Sequence, residues 1–362
     1  MKKNHLILGL VVLVALAALV FWGRDRIHFD FGVFRSQITL VDWRRIAIAI
    51  GCIYLGYCFR AVRWAWLLKP NKKVPLLSLL GTQVIGFTAV ALLGRVADPV
   101  RPYLVTKKTG LPLSSQFAVY IVERLFDLGS TALIFSSVIL FTAWFGQPGA
   151  LPHPEIVKKA GYWGMALTLA GAVFLIAVRL AGGMVATFLE RTFGIVSKKL
   201  GAAVGDKVRS FRAGLDTMHT FGDFGAVVGL SLGMWMIIAL AYLETTRAFV
   251  ASPQLGGMTL PKCMLLLAFS GASSVFQLPV LGWFTQIGFV AAAMVSFYGA
   301  APEASTACAA LLLVVTFLSI IPVGLIWAQF EHVSFRKIAV ESEQAGDIAA
   351  EKQPPDTPGR DD

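Results

Sequence analysis

Charge is what this sequence is short of. Only 15% of its 362 residues are charged, against about 25% in an ordinary soluble domain. Those charges are bunched between apolar runs of about 20 residues, the length a helix needs to span a bilayer. Cysteine is sparse too. Cys52, Cys58, Cys263 and Cys308 lie inside or at the edge of apolar runs, where they act as small hydrophobes. Their spacing supports neither a disulfide framework nor a metal site. The histidines (His5, His28, His153, His219, His332) are scattered and form no H-E-x-x-H pair. A Walker loop, a G-x-S-x-G elbow and a C-x-x-C pair are all missing. No cofactor, metal or catalytic residue is therefore expected.

Apolar sequence is what the chain has in plenty: 56% of it is hydrophobic and 12% aromatic. The net charge of +11 sits mostly in short loops between apolar runs. That is the positive-inside pattern of cytoplasmic loops, and it argues against nucleic acid as a partner. The expected fold is all-α, a polytopic integral membrane bundle with about six full spans plus two re-entrant or broken hairpins.

Met1–Trp22 opens with Lys2 and Lys3 and reads as an uncleaved first span, N-terminus inside, with a signal peptide as the competing reading. Gly23–Arg45 mixes aromatics with arginines and aspartates and is expected at the outer interface. Ile46–Leu68, Ser114–Phe145, Ala160–Leu180, Phe224–Val250 and Ala307–Trp327 are the other spans. Ala181–Asp223 is basic and carries an apolar stripe (Leu200, Val204, Val208, Phe211, Leu215, Met218), as an amphipathic cytoplasmic helix would. Residues 1–330 form one membrane domain that includes 181–223, and 331–362 are a polar tail expected to be disordered.

Two apolar elements are interrupted. Leu76–Leu93 runs into G-R-V-A-D-P-V-R (Gly94–Arg101) and then the basic turn at Lys107 and Lys108. A hairpin that enters and leaves on the inside reconciles these features. Met264–Leu278 is broken by S-G-A-S-S (Ser270–Ser274), ends in Q-L-P-V-L-G, and is followed by Trp283–Phe297 with Gln286 inside it. This is the second hairpin, entering from the outside. Parity then leaves both termini inside.

Each charge within hydrocarbon costs about 2.5–3.5 kcal/mol, so Arg95, Asp98 and Arg101 need partners. In I-V-E-R-L-F-D-L, Glu123 and Asp127 stand one helical turn apart with Arg124 beside them. They are the natural partners of Arg95 and Arg101, either as a packing cluster or as a substrate pathway. Arg60 and Arg63 share a helix face. Two readings are open for them, snorkelling to headgroups beside the boundary aromatics Trp64 and Trp66 or a lipid-phosphate contact in a pocket.

R-A-V-R-W (Arg60–Trp64), G-R-V-A-D-P-V-R-P-Y-L (Gly94–Leu104), the K-K-T-G-L turn and V-E-R-L-F-D-L (Val122–Leu128) together resemble the transmembrane region of lysylphosphatidylglycerol synthase/flippase proteins. The resemblance covers roughly residues 5–330. The family pattern is similar to G-R-x-G-E-x-x-R followed by E-R-x-x-D; here Ala97 and Asp98 stand where glycine and glutamate are usual. In the second half the family shows P-G-G-x-G-x-x-E, whereas this chain has Pro279-Val280-Leu281-Gly282 and Gln286 where the acid would fall. The segment after residue 330 is too short for the soluble lysyl-transferase domain of bifunctional members, so no synthase activity is expected.

The resemblance implies translocation of a lipid headgroup between leaflets of the plasma (inner) membrane. Membrane lipids are the partners, and Arg60, Arg63, Arg95, Asp98, Arg101, Glu123, Arg124, Asp127 and Gln286 form the substrate-binding set. Arg95 and Arg101 would hold phosphate, and the acids would balance them when no lipid is present. A membrane-embedded enzyme on a lipid-linked substrate, with Asp98, Glu123 and Asp127 as acid–base groups or metal ligands, is the alternative. So is a scaffold for a separately encoded lipid-modifying enzyme. Oligomerisation stays open.

Overall fold

The computed structural model describes residues 30–70, 72–145, 154–195, 197–198, 201–205, 208, 220–273 and 281–333. The expected first span at Met1–Trp22, most of the 200–218 stripe, the 274–280 break and the 334–362 tail lie outside the described residues. Among the described residues every regular element is helical, and the chain is a polytopic helical membrane bundle.

A short helix, α1 (Phe31–Thr39), starts at Asp30, whose carboxylate accepts from the amides of Gly32 and Val33. It exposes Phe31, Val33 and, just past its end, Leu40. Asp42 then caps α2 (Trp43–Leu68), the long helix at the centre. Its antiparallel partner is α7 (Phe221–Arg247), which opens on a Thr220–Asp223 capping box. Arg45 Nη1 meets Glu244 Oε2 at 2.8 Å at one end of this pair, and Trp66 Nε1 donates to Asp223 Oδ1 at 3.1 Å at the other. These contacts define a first and a second end of the bundle.

At the second end the chain enters α3 (Leu76–Leu93). It stops at Gly94, whose φ of 78° with ψ of −166° is a conformation open to glycine alone without strain. A 3₁₀ turn (Arg95–Ala97) leads to α4 (Val100–Thr109), which ends at left-handed Gly110. The two arms lie antiparallel. Lys72 Nζ reaches Thr109 O at 2.7 Å and Lys108 Nζ reaches Ser78 O at 2.9 Å, so entry and exit share the second end. The first arm is longer than a half-span: 18 residues make a helix of about 27 Å. By length and composition Leu76–Leu93 therefore counts among the six helices able to cross a membrane, with Trp43–Leu68, Ser115–Thr142, Gly161–Val178, Gly222–Arg247 and Pro302–Phe330.

From the second end α5 (Leu113–Phe145) runs back to the first, and α6 (Pro154–Gly194) packs along it. Gly161 lies against Ile139 and Gly164 against Ser136, the small-residue contact that lets backbones close in without a hydrophobic driving force. The expected span ended at Leu180, but α6 continues to Gly194 through one non-helical residue, Ala181. Only 12% of its Gly161–Val178 stretch is buried, and Trp163 and Leu167 point outward. It is the lipid-facing rim.

Past a single-turn helix, α8 (Pro253–Gly256), come α9 (Leu260–Ser273) and α10 (Leu281–Tyr298). Tyr298 OH donates to Lys262 O at 3.1 Å, and Arg247 Nε donates to Met258 O at 3.1 Å. This second hairpin thus opens at the first end. The closing span expected over Ala307–Trp327 is present within Pro302–Phe330. Along it the helix runs as α11 (Pro302–Leu313), a π turn (Val314–Leu318) and α12 (Ile320–Phe330). Pro322 is the cause: it lacks an N–H and its ring collides with the carbonyl one turn back. Tyr54 OH and Thr88 Oγ1 cover the disturbed stretch by donating to Ser319 O at 2.9 Å and Ile320 O at 3.3 Å.

Two span–hairpin–span units result, α2 to α5 and α7 with α9 to α12. They run in opposite directions, and their hairpins open at opposite ends. Such opposed interrupted helices place a site near mid-depth.

Candidate functional site

The site lies where the first hairpin meets α2, α5 and α7. On α2 the three-residue spacing puts Arg60 and Arg63 on one face; on α5 the four-residue spacing stacks Glu123 and Asp127. Arg63 bridges both acids, with Nη2 to Glu123 Oε1 at 2.7 Å and Nη1 to Asp127 Oδ1 at 2.6 Å. Its Nη1 also donates to Ser231 Oγ of α7 at 2.8 Å. Arg60 Nη1 lies 3.3 Å from Asp127 Oδ2 and 3.5 Å from Glu123 Oε1. Arg124 Nη2 sits 2.8 Å from Asp127 Oδ2 and 3.4 Å from Glu123 Oε1.

The hairpin brings the fourth guanidinium. Arg101, on α4, passes over Gly86 of α3, where any side chain would collide with its methylenes. Its Nη1 reaches Glu123 Oε1 and Oε2 at 3.3 Å and Gln83 Oε1 at 3.2 Å. Aromatic rings surround it: Phe87 at 4.6 Å, Tyr120 at 5.1 Å and Trp64 at 5.8 Å from the guanidinium carbon. Phe87 also lies under Arg60 at 4.9 Å, and Tyr120 under Arg124 at 5.5 Å. Ring faces attract a flat, weakly hydrated cation, which favours arginine over lysine at these positions.

Burial sets the stakes. Arg101, Arg63, Glu123 and Asp127 are 0%, 1%, 1% and 5% exposed. Only Arg124, with a third of its side chain exposed, reaches the surface, between lipid-facing Ile121 and Leu128. Removing one partner of a buried pair costs about 3–5 kcal/mol, because the other charge is left uncompensated. Each carboxylate oxygen of Glu123 and Asp127 is within 3.5 Å of arginine. The donors are not used up: Arg63 Nε, Arg101 Nε and Nη2, and Arg124 Nε are buried without a hydrogen-bond partner. Four guanidiniums against two carboxylates leave positive charge and N–H groups to spare. The chemistry such a centre offers is capture of an anion rich in acceptor oxygens.

Arg60 and Arg63 do not snorkel, because they turn inward to Glu123 and Asp127. Trp64, expected as a boundary anchor, is 1% exposed, and only Trp66 sits near an end, bonded to Asp223. Of the two arginines expected to pair with the acids, Arg101 does so. Arg95 is exposed on the 3₁₀ turn beside Val96, and the guanidiniums at Glu123 are Arg60, Arg63, Arg101 and Arg124. Asp98 is half-buried at the tip, close enough to Tyr120 and Arg124 to act on them electrostatically. Gln286 belongs to the second hairpin, where its Nε2 donates to Ser270 Oγ at 2.9 Å. Sequence reasoning missed Gln83, Ser231, Phe87 and Tyr120. Gln83 had a signal, as the one amide side chain in an apolar helix; the others become visible only once the helices are placed side by side.

A family model described as lysylphosphatidylglycerol synthase TM region matches residues 6–325. No curated protein and no solved structure matches the chain.

Proposed function

The chain belongs to the lysylphosphatidylglycerol synthase TM region family, and on that footing we propose that it moves a phospholipid or related lipid between leaflets of the plasma (inner) membrane, as a transporter and not as an enzyme. The observation that carries the reading is the buried arginine–carboxylate centre with spare N–H donors, set against the first of two hairpins that open at opposite ends. A headgroup crossing hydrocarbon needs its water replaced, while its acyl chains can stay in lipid. Arg124, the one member at the surface, stands at the rim. Phosphate entering past it competes with Glu123 and Asp127 for Arg63 and Arg101. The acids hold each of the four arginines in an ion pair when no lipid is bound, and the positive charge left over is what an incoming phosphate neutralises. In this reading the hairpins are re-entrant from opposite faces, both termini are cytoplasmic, and no nucleotide drives the step.

The test is a leaflet-exposure assay. The full chain is reconstituted in vesicles with headgroup-labelled fluorescent phospholipids, and a membrane-impermeant quencher is added outside. The reading expects the quenchable fraction to rise from about half towards completion for at least one headgroup. A quenchable fraction equal to that of protein-free vesicles for every lipid, with folded protein, would overturn it.

A further inference from the structure

One of the four guanidiniums keeps its best edge free. Arg101 is 0% exposed, and its Nη1 is the nitrogen that contacts Glu123 and Gln83. Its Nε and Nη2 are buried with no partner. Together they form the side-on edge of the guanidinium, two parallel donors spaced to grip two oxygens of one anion. Glu123 therefore pairs with Arg101 without using the fork that suits an oxyanion best.

Gln83 adds to the surplus. It is 0% exposed on α3, a helix otherwise almost wholly apolar. Arginine can only donate, so Gln83 has to give its oxygen to Arg101, and its NH₂ group is left buried without an acceptor. By covalent geometry that nitrogen is within about 6 Å of Arg101 Nη1. Donors so close can share one phosphate, since each contact is about 2.8 Å long and can fall on a different oxygen. A buried N–H without a partner costs free energy, and three such nitrogens on two touching side chains call for an occupant rich in acceptors.

We propose that a phosphate group docks here first, side-on to Arg101 Nε and Nη2 with Gln83 Nε2 as its third donor, before any carboxylate lets go of an arginine. The inference rests on the reading that this centre receives a lipid headgroup, and it makes Gln83 a ligand of that headgroup. All three donors belong to the first hairpin, Gln83 on α3 and Arg101 on α4, whereas Glu123 and Asp127 stand on α5. A singly charged phosphodiester neutralises Arg101 and so weakens its hold on Glu123, which frees the hairpin to part from α5 with the phosphate attached. Competition for Arg63 follows. The seat reads the phosphate and nothing beyond it, so lipids that differ past the phosphate share it.

Binding at fixed ionic strength tests the seat apart from transport. The purified full chain in detergent is titrated with dioctanoyl phosphatidylglycerol, dioctanoylglycerol and inorganic phosphate, following the rise in its unfolding temperature. The parent should bind the phosphatidylglycerol at least tenfold more tightly than dioctanoylglycerol, which has the chains and no phosphate. Gln83→Leu removes the donor and should weaken phosphatidylglycerol at least fivefold. Gln83→Glu keeps an oxygen for Arg101 but puts an acid in the seat. It should weaken phosphatidylglycerol at least tenfold, with no fall in the unfolding temperature of the free protein. Loss in Gln83→Leu alone would mean that the glutamine only positions Arg101, and loss in Gln83→Glu alone that the new charge acts from nearby. Either result overturns its role as a ligand. Equal affinity of the parent for the two dioctanoyl lipids would overturn the whole proposal without any variant having to fold. Inorganic phosphate binding as tightly as the lipid leaves the seat standing and fails the transport reading, as does selective lipid binding with no crossing in vesicles.

Discussion

Neutralising Glu123 is the most informative single change to the bundle. Its Oε1 lies 2.7 Å from Arg63, 3.3 Å from Arg101, 3.4 Å from Arg124 and 3.5 Å from Arg60. Glu123→Gln takes away the acid that Arg101 pairs with, leaves Arg60, Arg63 and Arg124 to share the carboxylate of Asp127, and turns an NH₂ group toward donors that cannot accept from it. Loss of one partner from a buried pair costs about 3–5 kcal/mol, and a loss within that range is expected. The assay is equilibrium unfolding in mixed micelles by denaturing detergent, comparing the parent, Glu123→Gln, and Glu155→Gln at an exposed position. The control should stay within about 0.5 kcal/mol of the parent. Removing the nearest cation as well, in Glu123→Gln with Arg63→Gln, should cost less than the sum of the single changes, by about 1–3 kcal/mol of coupling. Additive losses, or a Glu123→Gln as stable as the control, would refute the claim that these charges form one coupled unit.

Other consequences follow from single contacts. Gly86→Ala inserts a methyl into the path of Arg101 and should cost about 1–3 kcal/mol by overpacking, with a fall in lipid binding read in the same titration. The Lys108–Glu331 pair, 2.7 Å apart with each side chain 21% exposed, ties the end of α12 to the base of the first hairpin. Lys108→Ala should cost less than about 1 kcal/mol, and less again at high salt. Thr220→Ala removes the capping box of α7 and should cost about 1 kcal/mol, seen as a lower unfolding midpoint.

The bundle was legible because hydrocarbon leaves so little choice. Apolar runs of spanning length can only be helices when no water satisfies their backbone, and three charges after Leu93 can only be held by partners. The four-residue spacing of Glu123 and Asp127 likewise fixed their shared face before any helix was placed. Pairing across helices was not legible, since it depends on rotation about each axis. Arg60 and Arg63 near the end of an apolar run look the same whether they point to headgroups or to Asp127. The reach of α6 past Leu180 was hidden because Gly182 and Gly183 follow at once, as they would at a helix end, and the basic stretch beyond Arg191 marks a loop. The π turn was foreshadowed by Pro322 alone, and a proline inside an apolar run does not say how the ladder will rearrange around it.

One measurement bears most directly on the central claim: the leaflet-exposure rate of Arg101→Ala beside Lys108→Ala, each matched to the parent in reconstitution and unfolding midpoint. If the buried arginine–carboxylate centre receives the headgroup, Arg101→Ala should slow lipid movement at least tenfold while Lys108→Ala leaves it near the parent rate. An Arg101→Ala protein that is folded and moves lipid as fast as the parent would contradict the account.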